Sequence, residues 1–187
     1  MAILKNVVIV IAIGGLLTGV TYWSQLEEAE LEGQSNLPDH LAHWNRERYQ
    51  RLREEAGVAV RQNRWADVIP VCREMLDWRE DDEVVWFWLG YGYLIQGDYQ
   101  QAEQVWTYML RFRRNRRETL YNLACSQAML GKKDEALGVF KQLLTEGFSN
   151  FEHVDGDEHF FPLRGEPEFE TMLDELAMRA PFEFGSR

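Results

Sequence analysis

The sequence predicts an all-α chain: a short solenoid of about three helical hairpins with a C-terminal capping helix, preceded by one transmembrane helix. Three observations carry that prediction. The stretch Asp82 to Ile95 reads as a helix that is apolar nearly all round, so it needs cover on several sides, whereas a surface helix needs an apolar stripe only about 100° wide. Displacing the chain against itself by 34 residues aligns Trp86 with Leu120, Leu89 with Leu123, Gly90 with Ala124, Gly97 with Gly131, Ala102 with Ala136 and Trp106 with Phe140. Residues 6–23 carry no charge, and as a helix they span about 27 Å, enough for a hydrocarbon core.

In chain order, the uncharged run comes first. Tyr22 and Trp23 fall where an interfacial aromatic belt sits, Lys5 precedes the run, and Glu27, Glu28, Glu30 and Glu32 follow it. The positive-inside rule then places the N-terminus in the cytoplasm and the body outside. The run ends in Thr-Tyr-Trp-Ser-Gln-Leu-Glu-Glu, with no small-residue cleavage site, which favours an uncleaved signal anchor over residues 1–24 rather than a cleaved signal peptide. Gly15 and Gly19 form a small-xxx-small pair suited to packing on another membrane helix. Residues 25–38 are acidic and broken by Gly33, Ser35, Asn36 and Pro38, the composition of a linker.

From Asp39, as cap, a helix is predicted through Trp44, Tyr49 and Leu52 to about Gln62. That is longer than one repeat helix, so its first part, with Leu41 and Trp44, either projects beyond the array or folds back on it. One period before the central unit, Leu110 matches Leu76, Tyr99 matches Trp65 and Gly97 matches Asn63. An array over 39–150 follows, with units near 49–82, 83–116 and 117–150. Each unit has an apolar-periodic helix, a Gly or Asn suited to a left-handed turn, and a second helix with apolar residues three and four apart. Gly90, Ala102, Ala124 and Ala136 let helix backbones approach, while Trp86, Tyr93, Trp106 and Phe140 fill the space between hairpins. Pro70 lies near the start of a second helix, where a missing N–H is tolerated only in the first turn, so a kink or late start is expected. Cys72 and Cys125 are the only cysteines; they read as small buried apolar residues rather than a disulfide, being a whole hairpin apart.

The central unit, with Trp86, Leu89, Gly90, Tyr93, Ala102 and Trp106, meets the pattern Trp-x-x-Leu-Gly-x-x-Tyr followed by Ala and an aromatic, and so resembles the tetratricopeptide repeat. The third unit resembles it with Leu120 in place of Trp. The first departs further, with Glu55 where Leu is expected and Val68 where Ala is. The resemblance implies a right-handed solenoid whose first helices line a concave groove. Carried onto this chain, the groove comprises Val84, Phe87, Trp88, Tyr91 and Ile95, with Asn122 and Met129 from the next unit and Arg53 and Arg61 from the first. So apolar a lining marks an interaction surface unless the chain's own ends cover it, and Phe87 and Trp88 are the side chains to anchor a partner. The basic clamp that some members of the family use for acidic C-terminal peptides is not evident, because Trp88 and Glu54 stand where Asn or Lys is expected.

Tyr121-Asn-Leu-Ala-Cys, Gly131-Lys-Lys-Asp-Glu-Ala and the stretch from Glu146-Gly-Phe to Asp157-Glu-His-Phe-Phe-Pro-Leu-Arg-Gly-Glu-Pro-Glu-Phe169 resemble a terminating unit of bacterial tetratricopeptide proteins, over Leu120 to Leu176. The likeness implies that residues 151–187 cap the array. Asp157, Leu163, Arg164, Pro167 and Phe169 would form its loop and final helix, with Phe169, Leu173 and Leu176 inward.

The composition, 45% apolar with seven Trp and ten Phe, suffices for the core of one domain. The net charge of −11 argues against a nucleic-acid partner, since phosphate backbones reward Lys and Arg. No Gly-rich phosphate loop, Gly-x-Ser-x-Gly or His-Glu-x-x-His occurs, so the chain is expected to be no enzyme and to take no cofactor and no small-molecule substrate. His153, Asp155, Asp157, Glu158 and His159 have the ligand types of a hydrolytic metal site. Their irregular spacing and their place in the cap weigh against one, and no metal is expected. Arg111, Arg113, Arg114, Arg116 and Arg117 crowd one turn; they read as a solvated turn partly paired with Glu, or as a surface for an acidic partner or lipid headgroups. The expected function is therefore a non-catalytic scaffold, assembly factor or accessory subunit of a membrane complex, whose partner is another protein of that complex. Its expected place is the bacterial inner membrane, single-pass, with the repeat body on the periplasmic side.

Overall fold

In the computed structural model, residues 39–179 are described, and every regular element among them is helical. In order they are α1 (Asp39–Arg61), α2 (Trp65–Trp78), α3 (Glu83–Ile95), α4 (Tyr99–Met109), α5 (Arg116–Met129), α6 (Lys133–Thr145), α7 (Phe151–Asp155), a 3-10 helix (Glu158–Leu163) and α8 (Pro167–Arg179). Each helix from α1 to α6 packs on the next in sequence, and α3 also touches α5. This is the neighbour-on-neighbour arrangement of a helical repeat solenoid. The predicted anchor over 1–24, its Gly15 and Gly19, and the linker over 25–38 lie outside the described residues. No helix among the described residues is long and apolar enough to cross a membrane.

The 34-residue period is written in the backbone. Asn63, Gly97 and Gly131, each one period from the next, have left-handed φ of 55°, 74° and 72°, and each reverses the chain between the two helices of a hairpin. Asp82 and Asp98 start the central pair of helices: Asp82 accepts from the Val84 and Val85 N–H groups, and Asp98 from that of Gln101. At Gly90 the backbones of α3 and α4 come so close that a Cβ would lie 2.9 Å from the Trp106 ring and from Val105. Trp106, Phe140, Leu120, Ala102, Ala124 and Ala136 are all fully buried, as the matched positions require.

Several details depart from expectation. Pro70 neither delays nor interrupts its helix, for α2 already begins at Trp65 and runs through it. The carbonyl that loses its partner is that of Ala66, and both Ala66 and Pro70 are exposed, so water can satisfy it. Trp86 is half-buried rather than in the core: its indole N–H donates to the Glu80 carbonyl at 2.8 Å and its ring packs on Tyr108, centroids 4.4 Å apart. The early part of α1 folds against the array, with Trp44 6.0 Å from Trp78 and Arg48 bonded to Glu74 at 2.6 Å. Cys72 and Cys125 are buried and unpaired, as predicted. Beyond α6, Phe169, Leu173 and Leu176 face inward and are buried with Phe160 and Leu163; Phe140, Phe160 and Phe169 meet as three rings 5.3–5.8 Å apart.

Candidate functional site: an open groove beside a covered one

Helix α1 presents a stripe of Gln50, Arg53, Glu54, Gly57, Val58 and Arg61, at helical spacings of three, four and seven that put them on one face. With Trp88 from α3 these residues line a shallow groove of about 680 Å³. Gly57 leaves room over the indole, since a Cβ there would stand 3.9 Å from Trp88. Val58 is 39% exposed on the rim. The Arg53 guanidinium lies 5.9 Å over the Trp88 ring and also pairs with Asp82, which accepts from the Tyr49 hydroxyl at 2.6 Å. Burial alone raises the Asp82 pKa, but the Tyr49 hydroxyl, the Val85 N–H and Arg53 outweigh it and hold the carboxyl below its usual range. Asp82 thus caps α3 and fixes Arg53 at once. Arg61 is exposed and has no ion-pair partner among the described residues. A groove with an aromatic floor, an aliphatic rim and, beside Glu54, the unpaired Arg61 guanidinium suits a peptide with apolar side chains and an acidic one placed at Arg61.

The predicted lining residues divide. Trp88 faces this groove. Phe87 and Tyr91 are half-buried and knit α3 to its neighbours: Phe87 meets Trp106 at 5.3 Å and Tyr91 meets Trp65 at 5.0 Å. Val84 and Met129 are half-buried, and Ile95 is 48% exposed at the end of α3. Asn122 is buried and lines no open surface, which corrects the expectation of one groove running into the third unit. Helix α5 is packed by α3, α4, α6 and the 3-10 helix of the chain's own C-terminal segment, and every residue from Thr119 to Ala128 is buried.

That cover is latched through Asp157. One carboxylate oxygen accepts from the Tyr121 hydroxyl at 2.6 Å, and the other accepts from the His159 backbone N–H at 3.0 Å and meets its ring Nδ1 at 2.6 Å. Burial raises the Asp157 pKa, but the bonds from His159 and Tyr121 dominate and bring it down to about 2. The same bond to Asp157 raises His159 against the opposing effect of burial. Cys125, 3.8 Å from Asp157, is pushed well up by burial and by that carboxylate.

The five residues with metal-ligand side chains that the sequence places between 153 and 159 do not converge on one point. Asp155 pairs with Arg164 at 2.8 Å, and the His153 ring packs on Tyr121, 4.9 Å away. Asp157 and His159 instead meet Cys125, the three donor atoms lying within 4.8 Å of one another. Both Asp157 oxygens already accept hydrogen bonds from the chain, and the Cys125 thiol is held protonated. This is the chemistry of a cap. The involvement of Tyr121 and Cys125 escaped the sequence reading, although their spacing of four puts them on one helix face.

The arginine turn between α4 and α5 also divides. Arg116 bonds Glu146 at 2.7 Å and the Leu110 carbonyl at 3.1 Å, and Arg111 lies 4.7 Å over the Tyr108 ring. Arg113, Arg114 and Arg117 are exposed. Residues 118–150, which span most of α5 and all of α6, match the tetratricopeptide repeat family. None of the curated proteins matches the chain. Repeats of this family mediate contacts between proteins.

Proposed function

We propose that this chain is a non-catalytic, membrane-anchored interaction protein that holds a partner in the groove between α1 and α3, as a scaffold, assembly factor or accessory subunit of a bacterial inner-membrane complex. The observation that carries the reading is a contrast within the chain. The face of α5 is packed under the 3-10 helix of the chain's own cap, whereas the face containing Trp88, Val58 and Arg61 is left open by the described residues. The repeat match supports a protein as the partner. The uncharged run over residues 6–23, followed by four glutamates in the linker, supports a single membrane span with the repeat body on the periplasmic side.

The reading predicts that full-length protein, extracted from native membranes in mild detergent, co-purifies with a defined membrane protein, and that Trp88→Ala and Arg61→Glu each release it without changing the chain's own melting temperature. Co-purification that survives both substitutions would place the partner elsewhere and defeat the groove as the working surface.

A further inference from the structure

The turns joining α2 to α3 and α4 to α5 share one edge of the array, the edge from which α1 sets out. Contacts bind that edge together: Arg79 lies 5.2 Å over the Tyr49 ring, Trp86 donates to the Glu80 carbonyl at 2.8 Å, Trp86 packs on Tyr108 at 4.4 Å and Tyr108 on Phe112 at 5.9 Å. At its far part stand the five arginines of residues 111–117. Arg116 and Arg111 are engaged with Glu146 and the Tyr108 ring, as described. Arg113, Arg114 and Arg117 are exposed and in no ion pair among the described residues. Asn115, at a φ of 55°, turns the chain sharply between them, so three guanidinium groups project from a span of five residues. This is a local reversal of charge in a chain of net −11.

We propose that this arginine turn docks the repeat body on an anionic lipid surface, its guanidinium groups taking phosphate headgroups. The inference rests on the membrane-anchor reading above and deepens it by giving the body a membrane-facing edge. The tether argues for lipid as the occupant. Residues 24–38 separate the apolar run from α1 and reach at most about 50 Å even when fully extended. They join α1 at Asp39, about 15 Å of helix beyond Tyr49, on the same edge as the arginines. Planar guanidinium forks match phosphate oxygens bidentately. The surface potential that draws them fades within a Debye length, about 8 Å at physiological salt. Few unpaired arginines are therefore a weak membrane ligand in free solution, but a short tether makes their binding intramolecular. Trp44, Trp78, Trp86 and Tyr108 along the same edge are residue types that settle at the headgroup level.

The test uses the full-length chain with a donor fluorophore on Thr107→Cys, an exposed position of α4 near the turn, in vesicles carrying a headgroup acceptor. The native thiols are fully buried. Energy transfer in phosphatidylcholine vesicles is compared with that in vesicles also containing phosphatidylglycerol. The proposal expects transfer to rise with phosphatidylglycerol and to fall with added salt. It expects the rise to vanish in Arg113→Glu/Arg114→Glu/Arg117→Glu and to persist in the triple Lys variant, with circular dichroism unchanged in both. Equal transfer in the two lipids, or a rise that survives charge reversal, would overturn it. Loss of a co-purifying acidic protein from the triple Glu variant, without lipid dependence, would assign the turn to that protein instead. A chain that fails to float with phosphatidylcholine vesicles refutes the anchor alone; docking without the tether is then scored by flotation with phosphatidylglycerol vesicles at about 0.01 M salt, where the Debye length is about 30 Å, and its absence there refutes docking too.

Discussion

Replacing Asp157 with alanine tests whether the groove face of α5 is closed by a specific latch or merely by apolar packing. The substitution removes the acceptor for the Tyr121 hydroxyl, which is 7% exposed. The other oxygen near that hydroxyl is the His153 carbonyl, at 3.5 Å. Leaving such a buried hydroxyl without a good partner costs about 1–3 kcal/mol. Loss of the N-cap on the 3-10 helix adds about 1 kcal/mol. The expected cost is thus about 3 kcal/mol, a fall of roughly 6–12 °C in melting temperature for a chain of this size. A second readout separates latch from packing. Cys125 lies beneath the segment that Asp157 holds and is fully buried, whereas Cys72 lies in the first hairpin. In Asp157→Ala, Cys125 should become reactive toward a thiol reagent well below the melting temperature while Cys72 stays protected. Asp157→Asn, which keeps one acceptor oxygen, should sit between the two. Unchanged Cys125 protection in Asp157→Ala would refute the latch and leave the aromatic cluster as the sole source of closure.

Three further outcomes follow from the same structure. Gly90→Ala should destabilise by about 1 kcal/mol in urea denaturation, because the new methyl meets the fixed Trp106 ring and Val105 and overpacking of about 2 kcal/mol exceeds a gain in helix propensity of about 1 kcal/mol. Trp106→Ala should cost about 3–5 kcal/mol as a deletion from the fully buried core, whereas Trp88→Ala should leave the melting temperature nearly unchanged and weaken only partner capture; equal losses by calorimetry would mean that the open groove is part of the core. Stability should also depend on pH in two limbs. The Asp157 carboxyl, lowered to about 2, contributes about 2 kcal/mol above its unfolded value near 3.9 and loses it as pH falls toward 2. His159 is raised by its bond to Asp157, so its contribution is complete below about pH 6.5 and is lost as pH rises through its folded-state value. Cys125 protection against pH should therefore peak between about 4 and 6.5, and Asp157→Asn should flatten the acid limb.

The array was legible because its information is periodic. Asn63, Gly97 and Gly131 are spaced at 34 residues and all prove left-handed, and of the other positions matched by the same shift, Leu89, Ala102, Trp106, Leu120, Leu123, Ala124, Ala136 and Phe140 are buried while Trp86 is half-buried. Even Arg53, Arg61 and Trp88 could be placed in a groove once the geometry implied by the tetratricopeptide resemblance was carried onto that register. Register could not say which part of the groove stays open. Asn122 occupies the same register as Trp88, yet it is buried in a helix over which a segment some 36 residues downstream, held by the Tyr121–Asp157 bond, folds back. That contact has no local period to reveal it. The role of Val58 and Gly57 was missed for a related reason, since Glu55 disguises the first unit while the stripe from Gln50 to Arg61 remains regular. The arginines show the limit at finer grain: five similar residues in one turn separate into engaged and unengaged groups only once Glu146 and Tyr108 are in place.

The most direct test of the open groove is site-specific photocrosslinking in native membranes, with a benzophenone amino acid at Val58 in the groove and, in a second chain, at Phe161, which is 60% exposed on the cap. An open groove should give a discrete crosslink to a second protein from Val58, abolished by Trp88→Ala, and no such product from Phe161. Crosslinking from Val58 only to residues of the chain itself would show that the groove is filled from within and holds no partner.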